Sequence, residues 1–267
     1  MRTRLAIALL LAPLAAHAAA SVATYEAIRG RASKTVRVQG YDSAVASGTY
    51  VLIHPLSTTA VQFLTTADEL IVAAGGNAND ATAGTGCREI TFCGLNDSWA
   101  EVCEAEATAG ASASTKTTAK FFRLHYAYCS SSGTAHAANT AAISITTEGA
   151  VAIASIEAGL GRTRQALYTV PDGWTAYLRA VRVSVDAGTS EADLRVLSAG
   201  DQSDVTAPVA SPQIVDQLVD VSGSVERVYE VLPELTEKSD VWVEASGAGG
   251  ASEVAVLLEL LLVQDAQ

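Results

Sequence analysis

Aromatic residues are scarce in this chain, 6% of 267 positions, and there is a single methionine. Binding pockets are usually walled by such side chains. A sequence dominated by Ala, Thr, Ser and Val instead suits tightly packed sheets. Positive charge is short as well: 17 Lys and Arg stand against 29 Asp and Glu, a formal net charge of -12. With no Lys/Arg-rich run to offset it, an acidic surface repels phosphate backbones, which argues against nucleic acid as a partner. The same charge keeps a multi-copy protein soluble before assembly. Long apolar runs are missing: Val254 to Val263 is short and broken by Glu259, so no stable membrane insertion is expected. No stretch from Ser21 to Gln267 has clear helical periodicity.

Motifs that carry chemistry are missing too. There is no H-E-x-x-H, no G-x-S-x-G elbow and no G-x-x-x-x-G-K-[ST] loop. His54, His125 and His136 are expected to be structural or surface residues. The cysteines Cys87, Cys93, Cys103 and Cys129 lack the paired C-x-x-C spacing of a structural zinc site. Cys93 and Cys103 flank the turn Leu95-Asn96-Asp97-Ser98 almost symmetrically and can face each other across a hairpin, but buried free thiols are the expected state. In the loop Gly75 to Gly86, Asn77, Asn79 and Asp80 offer oxygens to a calcium ion. One carboxylate is little charge for that, and a mobile surface loop is expected. Glu101, Glu104 and Glu106 read as a solvated strand face, and Arg162 and Arg164 as an exposed loop pair. Phe121, Phe122, Tyr126 and Tyr128 read as packing residues, with a sugar platform as the alternative. No catalytic, cofactor-binding or metal residue is nominated, no cofactor is expected, and the chain is expected not to be an enzyme.

What is present is strand material. Hydrophobic residues make up 49% and charged ones 17%, enough for a substantial core. Around Pro171-Asp172-Gly173 the sequence reads strand, turn, strand, and Val181, Val183 and Val185 then alternate with Arg182, Ser184 and Asp186. Ala192, Leu194 and Val196 alternate with Glu191, Asp193 and Arg195. Arg88 to Ala107 forms a hairpin, and Lys120 to Cys129 one further strand. Both faces of Val254 to Val263 are largely apolar, as in a strand buried on both sides. Short strands at near-regular spacing predict an all-β protein of two β-sandwich or jelly-roll-like modules. The expected division is 1–20, 21–150 and 151–267. Residues 1–20 have a basic start, an apolar run and a small-x-small site at Ala16-His17-Ala18, the layout of a signal peptide; the alternative is an uncleaved amino-terminal arm.

Several segments, in order, carry a resemblance. They are Gly40-Tyr41-Asp42-Ser43-Ala44-Val45; Asn79 to Gly86 leading into Arg88-Glu89-Ile90-Thr91-Phe92 and Gly94-Leu95-Asn96; Gly159-Leu160-Gly161 with Leu167 to Pro171 and Gly173 to Leu178; and Glu237 to Val241. With these the chain resembles an uncharacterised family of virion structural proteins from tailed bacteriophages, frequent in marine phages. The resemblance implies a role in the particle rather than catalysis. It covers neither the leader nor the cysteines around the Arg88 to Ala107 hairpin.

The leading expectation is therefore a capsid-surface accessory protein of a virion (decoration, cement or turret). Its partners would be itself, as a homo-oligomer such as a trimer, and other virion proteins such as the major capsid protein. The rival is an exported bacterial β-sandwich, secreted or periplasmic, that acts as an adhesin or binds a polysaccharide.

Overall fold

A strand that is apolar on both faces needs a neighbour on each edge, and the fold supplies both. The computed structural model describes residues 31–54, 63–73, 77–134, 138–186, 191–200, 212–248 and 251–266. The expected leader and His136 lie outside the described residues. The described residues contain strands and no helix. In chain order the strands are β1 (Ser33–Val45), β2 (Val51–Leu52), β3 (Asp68–Ala73), β4 (Cys87–Leu95), β5 (Glu101–Ala107), β6 (Lys116–Phe121), β7 (Arg123–Ser132), β8 (Ile143–Thr147) and β9 (Ala152–Ile156). They continue with β10 (Leu167–Thr169), β11 (Trp174–Val185), β12 (Glu191–Ala199), β13 (Gln213–Val221), β14 (Gly223–Val228), β15 (Glu234–Leu235), β16 (Asp240–Ala248) and β17 (Ser252–Gln264).

The strand β17 lies between β1 and β11, antiparallel to both, in a sheet ordered β1-β17-β11-β14. The facing sheet is ordered β10-β16-β12-β13. Taken along the chain, these strands alternate between two four-membered paths except at β12 and β13, which are neighbours in one sheet, and the first and last lie side by side, which is jelly-roll connectivity. The short strands β15 and β2 extend the two sheets from β11 and β16. The core between the sheets is aliphatic: Leu178, Val181, Leu194, Val196, Val243, Leu258 and Leu260 are buried in one cluster. Each such side chain contributes about 1.5–3 kcal/mol by leaving water. The alternation of Ala192, Leu194 and Val196 is realised, all three facing this core. The turn before β11 is realised too: Trp174 N donates to Pro171 O at 3.3 Å, and Gly173 has φ 72°, where a side chain would be strained.

The second module is inserted between β2 and β10. Its sheets are ordered β6-β3-β8-β9 and β5-β4-β7, and they close on Leu70, Ile90, Phe92, Phe121, Ile143, Ile145 and Ile156. Strand pairing therefore does not follow a division at residue 150. The strand β1 pairs along its length with β17, and β2 with β16, so the jelly roll is built from both ends of the chain. Nothing local in Ser33–Val45 announces a partner more than two hundred residues away; the demand comes from the unfilled edge of β17.

Two differences in strand layout have local causes. The single strand expected over Lys120 to Cys129 is broken at Phe122, where the chain passes from the sheet of β6 to the sheet of β7. Phe121 packs into the module core, while Phe122 joins Ala67, Leu95 and Trp99 in a separate cluster. The strand β9 was not anticipated: Ala152–Ile156 mixes small and apolar residues with no alternation.

Candidate functional site

Two regions hold side chains that a purely structural account leaves uncommitted. One is the open side of the jelly roll, and the other is the junction with the inserted module.

The open side is formed by the edge strands β13 and β14. Ile214 and Val219 on β13 are each 56% exposed, Val228 at the end of β14 is 61% exposed, and Val231 just beyond it is 87% exposed. Single exposed apolar residues are ordinary, but here four lie on or beside two sheet edges that are unpaired among the described residues. Asp216 ties these edges together, accepting from Arg227 Nη1 at 2.6 Å and from Tyr229 Oη at 2.5 Å. Burial and this carboxylate push the Tyr229 hydroxyl pKa well above its usual value. Register shifts in the β12–β13 pairing and a positive φ at Asp220 interrupt the flatness of the edge, as protected edges require. On the outer face of the other sheet, the buried carboxylate of Glu259 meets three guanidinium groups, from Arg37, Arg179 and Arg182, at 3.3–3.6 Å.

The opposite side is covered by the inserted module. There Arg123 of β7 reaches Asp240 at the start of β16, with Nε donating to Oδ1 at 3.1 Å and Nη2 to Oδ2 at 3.0 Å. Both side chains are buried. Thr169 Oγ1 donates to the same Asp240 oxygen, and Arg123 Nη1 donates to the carbonyls of Leu64 and Phe122. The rings of Phe122, Phe63 and Trp99 lie 4.6, 5.2 and 5.7 Å from the guanidinium carbon. Two positions along β7, His125 is buried against Tyr168, ring centroids 4.2 Å apart. Its Nε2 accepts from Thr169 N at 3.4 Å, and desolvation lowers its pKa to about 3. Burial lowers His54 in the same direction. The neutral imidazole is thus the form that the fold accommodates.

Next to this junction, β1 and the β5–β4–β7 sheet enclose a cleft of about 600 Å³. Lys34 and Glu101 form an ion pair from β1 to β5, and Lys34 also lies 4.7 Å from the Trp174 ring. Arg162, Gln165, Tyr126 and Tyr168 line the same cleft.

The four cysteines are not free thiols: Cys87 is bonded to Cys129 and Cys93 to Cys103. The Cys93–Cys103 pair sits at directly opposed positions of the β4–β5 hairpin, whereas Cys87 and Cys129 meet only because β4 also pairs with β7. The spacing allows the first pair to face each other and says nothing of the second. Asp80 is not on a surface loop but buried, and its carboxylate accepts from the backbone N–H groups of Cys87, Thr140 and Ala141 at 2.8–3.0 Å. Asn77 Oδ1 accepts from Asn79 N, so these oxygens are spent on the turn. The described residues hold no cluster of three or more His, Cys, Asp or Glu side chains arranged for a metal.

The acids of β5 are not merely solvated. Glu104 accepts from Thr118 N and Ala119 N at 2.8 and 2.6 Å, and Glu106 accepts from Thr115 Oγ1 at 2.6 Å, so both tie β5 to the β6 region. Phe121 and Phe122 are buried, as packing residues should be, while Tyr126 and Tyr128 are 40% and 39% exposed. Arg162 and Arg164 are half-buried rather than exposed, with Arg164 over the Tyr41 ring at 5.5 Å. Nothing in the sequence pairs Arg123 with Asp240, because their signal is a meeting across 117 positions.

No family model and no curated relative matches the sequence. Among solved structures, the chain is similar to VP17, a capsid protein of bacteriophage P23-77, at 8% identity and a TM-score of 0.20, covering 86% of this chain and 96% of that one. It is also similar to a structure of infectious bursal disease virus Gx strain, at 8% identity and a TM-score of 0.22, covering 89% and 76%. At TM-scores this low neither likeness carries an argument about role.

Proposed function

We propose that this chain is a structural protein of a bacteriophage virion, an accessory component of the capsid surface that acts by adhesion and not by turnover. It packs against copies of itself, as a homo-oligomer such as a trimer, and against other virion proteins such as the major capsid protein. The observation that carries this is the asymmetry of the jelly roll: one side is covered by the inserted module, while the β13–β14 side presents Ile214, Val219, Val228 and Val231 to solvent. Apolar side chains on unpaired edges gain free energy when a neighbouring subunit covers them. The jelly roll itself supports the proposal as an analogy, since viral capsid domains use it, although lectins and cupins do so as well. The ordered strand-turn segments that resemble tailed-phage virion proteins supply the particle.

The test has two arms. Mass spectrometry of purified particles should find the chain at a regular copy number. In solution, Ile214→Asp combined with Val228→Asp should shift the protein towards monomer while changing its stability by no more than about 0.5 kcal/mol, as exposed positions do. A parent protein that stays monomeric at high concentration, and is missing from particles, defeats the proposal.

A second role, an exported adhesin or polysaccharide-binding β-sandwich, is favoured by one specific observation, the two disulfides of the inserted module. Such bonds persist mainly in oxidising compartments. Intact mass of the native protein separates the two, because export predicts a chain beginning near Ala19 to Ser21.

A further inference from the structure

The strand β1 ends its sheet, and among the described residues one of its edges faces a cleft instead of another strand. In an antiparallel ladder, successive residues turn their N–H and C=O groups alternately to one edge and to the other. Two bonds fix the phase of β1. Ala32 O accepts from Gln264 N at 2.9 Å, towards β17, and Tyr41 N donates to Arg164 O at 3.2 Å, away from it. Between these points the pairing with β17 runs without a shift from Ser33 to Asp42. Lys34, Val36, Val38 and Gly40 are therefore bonded into the sheet, while Thr35, Arg37 and Gln39 aim both backbone groups outward. No described strand or loop forms a backbone bond with these outward groups. Residues 34–39 make one wall of the cleft, whose volume is about 600 Å³, and the β5–β4–β7 sheet stands opposite. An unpaired edge of this kind is a template for a further strand.

We propose that the free edge of β1 takes up a further strand, an extended acidic segment of another protein. Main-chain hydrogen bonds to Thr35, Arg37 and Gln39 supply affinity that depends little on side chains, as in β-strand addition generally. The lining supplies the selection. Among the described residues, Lys34, Arg37 and Arg162 line the cleft against a single acid, Glu101. Glu101 is taken by Lys34, and Arg37 shares Glu259 with Arg179 and Arg182. Arg162 has no carboxylate partner among the described residues, and its Nε finds no acceptor. Positive charge is thus in surplus along the cleft, so an acidic strand is attracted and a basic one repelled. A cleft of this volume holds one short strand and not the edge of a second jelly roll, so the occupant is a single extended segment. The cleft lies on the covered side of the jelly roll, away from β13 and β14, and the inference stands independently of the assembly role.

Amide NMR and calorimetry on the full chain, with disulfides intact, provide the test. The probe is the blocked heptapeptide Thr-Asp-Val-Asp-Val-Asp-Thr, with a counterpart carrying Lys for Asp and a third version N-methylated at every interior residue. The acidic peptide is expected to bind with a Kd on the order of 1 mM or tighter, and the Lys peptide about tenfold more weakly. The N-methylated version, which cannot donate along its backbone, should not bind. Binding should shift the amide signals of Thr35, Arg37 and Gln39 more than those of Lys34, Val36 and Val38, which are held by β17. Gln39→Pro deletes one outward N–H and leaves the β17 ladder whole. It should weaken the acidic peptide about tenfold at an unchanged melting temperature. Arg162→Gln should narrow the gap between the Asp and Lys peptides. If Gln39→Pro does not fold, the N-methylated peptide still decides on the unaltered protein. The proposal is overturned if the acidic peptide does not bind, leaving the edge to water, or if the N-methylated or Lys peptide binds as well as it does. A folded Gln39→Pro protein that binds like the parent overturns it too. So does one whose own oligomeric state changes, since a second copy would then be what the edge receives.

Discussion

The jelly roll and the module inserted into it hold themselves together differently. The jelly roll closes on a broad aliphatic core running from Val38 through Leu178 and Leu194 to Leu262, and its described residues contain no disulfide. The inserted module has smaller sheets and a core that leans on Phe92 and Phe121, and both disulfides lie inside it. A small module buries a smaller share of its surface, so covalent links substitute for missing core. Among the contacts that join the two are the buried Arg123–Asp240 pair, set among aromatic rings, and the stack of His125 on Tyr168.

Breaking that join should have the largest effect. Arg123→Ala strands the Asp240 carboxylate in a buried site, and loss of one partner of such a pair costs about 3–5 kcal/mol. Calorimetry should show a single transition separating into two as the modules uncouple. One unshifted transition would mean that the pair does not link them. Next in size is the Cys87–Cys129 bond, whose partners are 42 positions apart. Loop-closure entropy puts its removal, as Cys87→Ala with Cys129→Ala, at about 4 kcal/mol, and that of Cys93–Cys103, 10 positions apart, at about 3 kcal/mol. The loss should fall on the inserted module alone, read as hydrogen exchange rising in β4 and β7 while β11, β12 and β16 stay protected. Equal losses in both modules would mean that the disulfides do not act on the inserted module alone.

Acid should act at the junction with a smaller effect. The unfolded histidine titrates near 6.5 and His125 in the fold at about 3, so the unfolded state takes up protons first. The stability that depends on neutral His125 is therefore complete above pH 6.5 and lost as pH falls towards 3. At pH 5 the loss is about 2 kcal/mol. His54 acts in the same direction. Urea melts from pH 8 to pH 4 should show the decline, and His125→Phe should flatten much of it. An unchanged acid slope in that variant would assign the effect elsewhere.

The elements that could be read from the sequence were those whose cause is local. The alternation of Ala192, Leu194 and Val196, the turn at Gly173 and the facing positions of Cys93 and Cys103 follow from neighbours in the chain. Features set by tertiary contact were hidden. The burial of Asp80 depends on the backbone of Thr140 and Ala141, the Cys87–Cys129 bond on the β4–β7 pairing, and the cleft on β1 lying against the inserted sheet. The exposed valines of β13 and β14 look like core residues until the sheet order places them on edge strands that no other described strand pairs with.

The pairing of β1 with β17 also bears on how the protein is made. Ser33–Val45 leaves the ribosome early, yet the strand that completes its hydrogen bonds emerges only with Ser252–Gln264. The inserted module finds its pairings within its own span and is free to fold first, during synthesis. Until the last strand arrives, β1 waits as an unzipped edge, and a chain stopped short of β17 would leave a finished insert hanging from an unfinished jelly roll.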